Sequence, residues 1–504
     1  MNQYKPLGDF TVVQSRIARE LMKQVSLEEP FASHDLSVFR ETVKSGRKLL
    51  PERYHDVYLN VLEQAIAQAE KSLERSGSTG QTRIMRQLEL IFSTLASPIV
   101  QLQSPKLAGK LKGFHSLLSN LYRRFLDDDK IRASAKKSLK WPDIDPLGFF
   151  SQAGTSPYAL PASDELPVAL IAKPMNHDDF VPLWFVDGHE VGGHTIHAAI
   201  QDFEADLKTR IPQQFKEAFQ QGKIVSKRAK VRVPNSNLLS TGGRYVPISV
   251  FMSGLWSTWL HEILADVAGI LNLGPMYVNG MITFLSAREL NRRLKTSSVY
   301  DASERFGSHP IQVVRVLTAL AVLEKLDFND RDLYVSELHK RLEKAVGGAV
   351  PETVSWVSAT GKQLTQLELE DIKAVIPIVV EAVLNTRLAC LHDRSLLELM
   401  TWGSKDEKTT RALAKNLLSR DKFNQPFEAR HVVSASWLAL EEASTAGDTS
   451  ATKIAGIQIR SIQLLGTLYQ DQCLLCSIPT YGTTRRKDLK LYQLAQLVKK
   501  LRTK

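Results

Sequence analysis

Cysteine is scarce in this sequence, and two features of exported or membrane proteins are missing. Three cysteines among 504 residues are too few for a disulfide framework, which favours a reducing compartment. No run of about 18 uninterrupted apolar residues occurs, so we predict no membrane span. The first residues lack the basic and then apolar pattern of a signal peptide. These absences together favour a cytoplasmic protein.

Two of the cysteines, Cys473 and Cys476, form a single C-x-x-C. Because no second pair accompanies it, we interpret it as core packing rather than metal or redox chemistry. The composition is otherwise globular, with 43% hydrophobic and 24% charged residues. A net charge of +11 permits contact with nucleic acid or an anionic surface, although a solvated basic surface explains the same charge.

Helical periodicity dominates the chain. From Pro51 to Leu73 the apolar residues recur every three or four positions. A segment rich in proline and glycine, from Trp141 to Pro161, marks a boundary. We therefore predict a helical bundle over residues 1–140, a central region over 141–310 with an irregular insertion around 201–245, and a helical domain over 311–504.

Two short segments of the central region combine residues that bind and activate metal ions. The first is H-E-V-G-G-H, which contains His189, Glu190 and His194. Two histidines beside a glutamate supply two zinc ligands and a general base, and zinc held by three protein ligands activates a bound water. The second segment contains Glu262 and Asp266, which share a face of a predicted helix. Glu262 is therefore the candidate third ligand, and Asp266 is the candidate that orients a ligand histidine.

The spacing of the two histidines requires a local distortion. A step of five places two side chains of a regular α-helix about 140° apart. A one-residue π-bulge restores a common face, and Gly192 and Gly193 lie where glycine would accept the distortion. His197 is the rival ligand, because it shares a face with His194 at a step of three.

The two segments resemble the gluzincin metallopeptidases, in which H-E-x-x-H is followed downstream by E-x-x-x-D. The six-residue form of the first segment is similar to that of dipeptidyl peptidase III. With the helical periodicity, this resemblance implies a mainly α (α+β) fold with a zincin-like core and a small sheet, flanked by N- and C-terminal helical regions. Such cores pair an edge strand with an extended substrate, and the apolar run Leu166–Ala172 is the candidate strand.

The resemblance also points to residues beyond the third ligand. In that group of enzymes a His or Tyr there stabilises the oxyanion, so His309 is the first candidate and Tyr277 the second. His309 precedes a proline and also fits a residue at the entry to a helix. Arg315, about one turn later, is a candidate substrate-binding residue. His261 neighbours Glu262 but points to another side of the helix, which favours a position in the core or at its rim.

These residues predict a zinc-dependent hydrolase, with a peptide or protein as the substrate and Glu190 as the general base. A zinc hydrolase with a non-peptide substrate fits the same residues. A function of another class is a helical scaffold that binds nucleic acid or protein through its basic surface, with a vestigial or structural zinc site. The intact Glu190 favours the enzyme, because a scaffold needs no general base.

Overall fold

The computed structural model describes residues 7–23, 35–126, 144–151, 156–163, 166–197, 200, 202–224, 226, 228–234, 243–300, 306–419, 421–471 and 491–502. Cys473 and Cys476 lie outside these residues, so their interpretation as core packing stays a prediction. Within the described ranges, no helix combines the length and hydrophobicity needed to cross a bilayer.

The described part of the chain is mainly helical with small sheets, which confirms the predicted fold class at that level. The α-helices are Phe10–Leu21, Leu36–Leu49, Asn60–Leu73, Ser78–Leu95, Ser97–Gln103, Ala108–Leu126, Asp187–His189, Phe203–Gln220, Ile248–Leu273, Pro275–Ala287, Gln312–Leu323, Arg331–Val346, Leu369–Asn385, Leu396–Leu399, Ser404–Ser419, Ala429–Thr445, Ala451–Asp471 and Leu491–Arg502. Glu52–Tyr54, Met175–His177, Val181–Val186 and Ala389–Leu391 are 3₁₀-helical, and His55–Leu59 and Glu190–His197 are π-helical.

Among the described residues the strands form three small sheets. They are β1 (Leu147–Ser151), β2 (Tyr158–Leu160), β3 (Leu170–Pro174), β4 (Lys230–Pro234), β5 (Gly243–Pro247), β6 (Ser297–Val299), β7 (Thr353–Val357) and β8 (Gln363–Glu368). In the first sheet β3 pairs in parallel with β1 and antiparallel with β2. An antiparallel ribbon of β4 and β5 forms the second sheet, and the third has the order β6-β7-β8.

Three details differ from the sequence-based expectations. The predicted edge strand Leu166–Ala172 overlaps β3, but β3 is the central strand of its sheet, and β1 and β2 are the edge strands. The expected irregular insertion contains a helix, Phe203–Gln220, and the β4–β5 ribbon. Strands β7 and β8 lie within residues 311–504, which were predicted to form a helical domain. The division into three regions at residues 140 and 310 stays a prediction.

The helix Ile248–Leu273, here called the long helix, lies at the centre of the structure. Its hydrophobic residues occur on every side, as expected for a helix packed on all faces. From Glu262 to Leu273 every residue is buried. Glu262 and Asp266 are the only carboxylates among its 26 residues, and buried carboxylates are rare without a partner or a metal. The long helix therefore contains two acids whose burial requires partners.

Candidate metal centre

The predicted departure from α-helical geometry is confirmed in the segment that contains the two histidines. This segment, residues 187–197, is here called the motif helix. Asp187–His189 is α-helical, and Glu190–His197 is a π-helix, longer than the single bulge that was expected. The i→i+5 pattern of a π-helix places residues five apart on one face. The Nε2 atoms of His189 and His194 accordingly lie 3.1 Å apart.

Small residues determine how closely the motif helix approaches the long helix. A Cβ atom added to Gly192 would lie 2.2 Å from the Cβ of Ala268, and one added to Gly193 would lie 2.0 Å from the Cβ of Ala265. Non-bonded carbon atoms prefer about 3.5–4.0 Å, so neither position has room for a side chain. From the sequence, the two glycines were explained by their tolerance of unusual backbone angles. Their contacts show a second reason, because the close packing of the two helices leaves no room for a side chain.

The close packing brings a carboxylate of the long helix to the two histidines. Oε2 of Glu262 lies 3.4 Å from Nε2 of His189, and its Oε1 lies 3.7 Å from Nε2 of His194. All three side chains are largely buried. The three predicted ligands therefore converge, and the cluster of His189, His194 and Glu262 is called the candidate site below.

A second group of side chains lies on the Nδ1 side of the His189 ring. Asp266 Oδ1 lies 2.9 Å from Nδ1 of His189, on the side of the ring opposite Nε2. Arg315 donates to Asp266 from Nε and from a terminal nitrogen, at 2.5 and 2.7 Å. The hydroxyl of Tyr277 donates to the same carboxylate at 2.7 Å. Tyr277 and Arg315 therefore both contact Asp266. Tyr277 is buried, and the Arg315 side chain is 15% exposed.

His309 lies on the solvent side of the candidate site. Its Nε2 is 3.2 Å from Oε1 of Glu262, and its side chain is 65% exposed. Ser308 contacts the other ring nitrogen at 3.0 Å. Because its ring is both exposed and close to the candidate site, His309 is better placed than Tyr277 to meet a substrate.

Glu190 adjoins the candidate site within the motif helix. One of its carboxylate oxygens and a ring nitrogen from each of His189 and His194 all lie within 4.8 Å of one another. Burial raises the pKa of Glu190 to about 7, against the opposing effect of His189. Glu190 is therefore a carboxylate that accepts a proton near neutral pH.

The charges within the candidate site stabilise one another. Burial lowers the pKa of His189, but its hydrogen bonds with Asp266 and Glu262 raise it to about 9. Burial raises the pKa of Glu262, but His189 and Arg315 outweigh this and hold it well below its usual range. Burial lowers the pKa of His194 to about 2, so its ring is neutral. His189 carries a proton at neutral pH, which a metal ion at Nε2 would displace.

Sequence reasoning missed two residues beside His194. Nδ1 of His194 lies 2.5 Å from Nε2 of His261, and Nδ1 of His261 lies 3.5 Å from a carboxylate oxygen of Glu204. The sequence predicted that His261 points to another side of the helix, in the core or at its rim, whereas its partly exposed ring contacts His194. Glu204 has no local sequence signal. The rival ligand His197 has a side chain outside the described ones, so that alternative stays open.

Asp406, Glu428 and His431 form another group whose ligand atoms lie close together. Arg430 donates to Asp406, and also to Glu428 at 2.8 Å. A guanidinium between the two carboxylates supplies the positive charge that a metal ion would otherwise bring, so we interpret this group as an ion-pair network.

Comparisons of this chain with models of known protein families, with curated proteins and with solved structures find no match.

Proposed function

We propose that this chain is a zinc-dependent hydrolase that cleaves amide bonds of peptides or proteins. The observation that carries the proposal is the convergence of His189, His194 and Glu262. The two histidine Nε2 atoms lie 3.1 Å apart, and one carboxylate oxygen of Glu262 lies 3.4 Å from Nε2 of His189 while the other lies 3.7 Å from Nε2 of His194. Two imidazoles and a carboxylate are a ligand set of catalytic zinc sites, which leave a fourth position for water or substrate. We place the candidate site in a zincin-like core of the gluzincin type.

The surrounding residues fit a zinc site in their chemistry. A histidine that binds a metal through Nε2 needs a hydrogen-bond acceptor at Nδ1, and the Asp266 carboxylate fills that position for His189. The donors Arg315 and Tyr277 fix Asp266 in turn. Their role in this proposal is to orient the ligand histidine rather than to bind substrate.

Each remaining residue of the candidate site has a distinct part in the reaction. A bound zinc ion supplies an activated water and polarises the substrate carbonyl. Glu190 accepts the proton of the attacking water and returns it to the leaving amine, a role suited to its pKa of about 7. His309 donates a hydrogen bond to the oxyanion from the solvent side.

A peptide substrate is favoured by the strand beside the motif helix. Strand β2 lies at the edge of its sheet and packs against the π-helical part of the motif helix. An extended peptide that added to this edge by main-chain hydrogen bonds would pass the candidate site. Strand β2 thus takes the part that the sequence assigned to Leu166–Ala172.

The proposal is tested with Glu190→Gln, which keeps the shape of the side chain but removes the base. The zinc-loaded wild type should hydrolyse a mixed peptide library, followed by mass spectrometry. The variant should retain its zinc and lose roughly 10²-fold or more in rate. Glu217→Gln, on the exposed side of another helix, is the matched control. A zinc-loaded wild type that cleaves no peptide would favour the scaffold or a non-peptide substrate.

A further inference from the structure

The two histidines of the candidate site have different supporting partners. His189 contacts a carboxylate directly, whereas Nδ1 of His194 contacts a second imidazole, that of His261, at 2.5 Å. The rings of His194 and His261 have their centroids 4.6 Å apart. Beyond His261, Glu204 lies 3.5 Å from the other ring nitrogen. Three separate helices thus bring Glu204, His261 and His194 into one line of polar contacts.

The order of protons along this line follows from the chemistry of imidazole. If His194 binds a metal through Nε2, its Nδ1 carries a proton and needs an acceptor. Nε2 of His261 accepts the hydrogen bond from that N–H only when His261 carries its own proton on Nδ1. The carboxylate of Glu204 faces Nδ1 of His261 and selects this tautomer. Each contact therefore fixes the next one.

We propose that His261 and Glu204 are positioning residues that hold His194 in the tautomer and orientation of a metal ligand. This inference rests on the proposed zinc function, because it assigns a metal-binding role to Nε2 of His194. The side chains of His261 and Glu204 are 34% and 28% exposed, so neither is a core residue whose replacement should unfold the chain. We therefore expect replacement of either residue to lower the affinity for the metal rather than the stability of the fold.

The test is the affinity of the full-length protein for Zn²⁺, measured by competition with a chromogenic chelator. His261→Phe should weaken binding about 10–100-fold, the usual effect of losing a partner of a metal-bound histidine. His261→Gln retains a carbonyl acceptor and should recover part of that loss. Glu204→Gln should weaken binding less. Adding Glu204→Gln to His261→Phe should cause no further loss, because Glu204 acts through His261.

His339→Phe is the matched control, since His339 also lies beside a glutamate, Glu324, at 3.7 Å. It should bind Zn²⁺ as the wild type does. If His261→Phe binds as tightly as the wild type, the inference is wrong while the proposed zinc site stands. If His261→Phe loses Zn²⁺ as completely as His194→Ala, His261 is itself a ligand and the positioning role is overturned. A wild type that binds no Zn²⁺ overturns the proposed function as well.

Discussion

Burial distinguishes three residues that the sequence suggested for substrate or oxyanion binding, namely His309, Tyr277 and Arg315. All three follow Glu262, the proposed third ligand, in the chain, and among them only His309 is exposed at the candidate site. Tyr277 and Arg315 both bind Asp266 from the interior. Tyr277 is buried and the Arg315 side chain is 15% exposed, whereas the His309 side chain is 65% exposed, so the proposed mechanism assigns the oxyanion role to His309.

Replacing His309 tests this division of roles. His309→Phe removes the ring nitrogens and keeps a planar side chain at an exposed position. We expect kcat to fall by an amount that corresponds to about 2–4 kcal/mol in activation free energy, as for other oxyanion donors. The zinc content should stay unchanged. Steady-state kinetics with a cleaved peptide and elemental analysis measure the two quantities. An unchanged kcat would show that His309 is only a residue at the entry to a helix.

The sequence predicted the residues of the candidate site better than it predicted the contacts around them. His189, His194, Glu262 and Asp266 follow from ligand chemistry and helical spacing, and the structure brings all four together. The contacts of His261 and Arg315 depend on how three helices pack. Since neighbouring residues of one helix point about 100° apart, only the tertiary structure shows what His261 meets.

At the scale of the helix, the candidate site depends on the distance between two backbones. Gly192→Ala would place its Cβ 2.2 Å from the Cβ of Ala268, and the next atom of Ala268 lies 3.5 Å away. We therefore expect Gly192→Ala to push the motif helix outwards and weaken Zn²⁺ binding. Adding Ala268→Gly removes the clash and should restore binding, at a loss of about 1 kcal/mol in unfolding free energy from glycine within a helix.

Two glycine variants serve as controls for this pair. Gly254 lies in the long helix, as Ala268 does, and has open space around it. Gly254→Ala should therefore leave Zn²⁺ binding unchanged. Gly193→Ala should not be rescued by Ala265→Gly, because its Cβ would still lie 2.7 Å from the Cα of residue 265. Chelator competition measures each affinity. Equal Zn²⁺ binding by Gly192→Ala and the wild type would contradict the close-packing explanation.

The sequence predicted helices more successfully than strands. The periodic segment from Pro51 to Leu73 is helical as predicted, although 3₁₀- and π-helical turns precede the α-helix Asn60–Leu73. A long periodic pattern specifies a helix by itself. Strands β7 and β8 are five and six residues long, and such short segments take their conformation from the strands beside them. A π-bulge was predicted because the spacing of the two candidate ligand histidines requires a distortion, and the structure extends it to a π-helix over Glu190–His197.

At the scale of the whole molecule, stability depends on histidines that are buried in neutral form. His115 lies in the core and its Nε2 contacts the carbonyl of Gly148 at 2.9 Å. Burial lowers the pKa of His115 to about 4. Below pH 6.5 the unfolded chain binds a proton at this residue and the folded chain does not, so stability falls as the pH drops from 6.5 towards 4.

A variant that cannot titrate isolates this contribution. His115→Gln retains a side-chain donor for Gly148 but binds no proton. Its unfolding free energy should fall less steeply between pH 6.5 and 4, by about 1.4 kcal/mol for each pH unit. Urea unfolding with a chelator present separates this effect from metal binding. Parallel pH dependences of the variant and the wild type would contradict the assignment.

Elemental analysis of the purified chain tests whether His189, His194 and Glu262 hold one zinc ion. The protein should be prepared without chelator and supplied with Zn²⁺, beside a Glu262→Ala variant shown to be folded by circular dichroism. We predict about one zinc per wild-type chain and a much lower zinc content in the variant, because a third protein ligand is lost. A wild type without zinc, or a variant that holds as much zinc as the wild type, would contradict the claim.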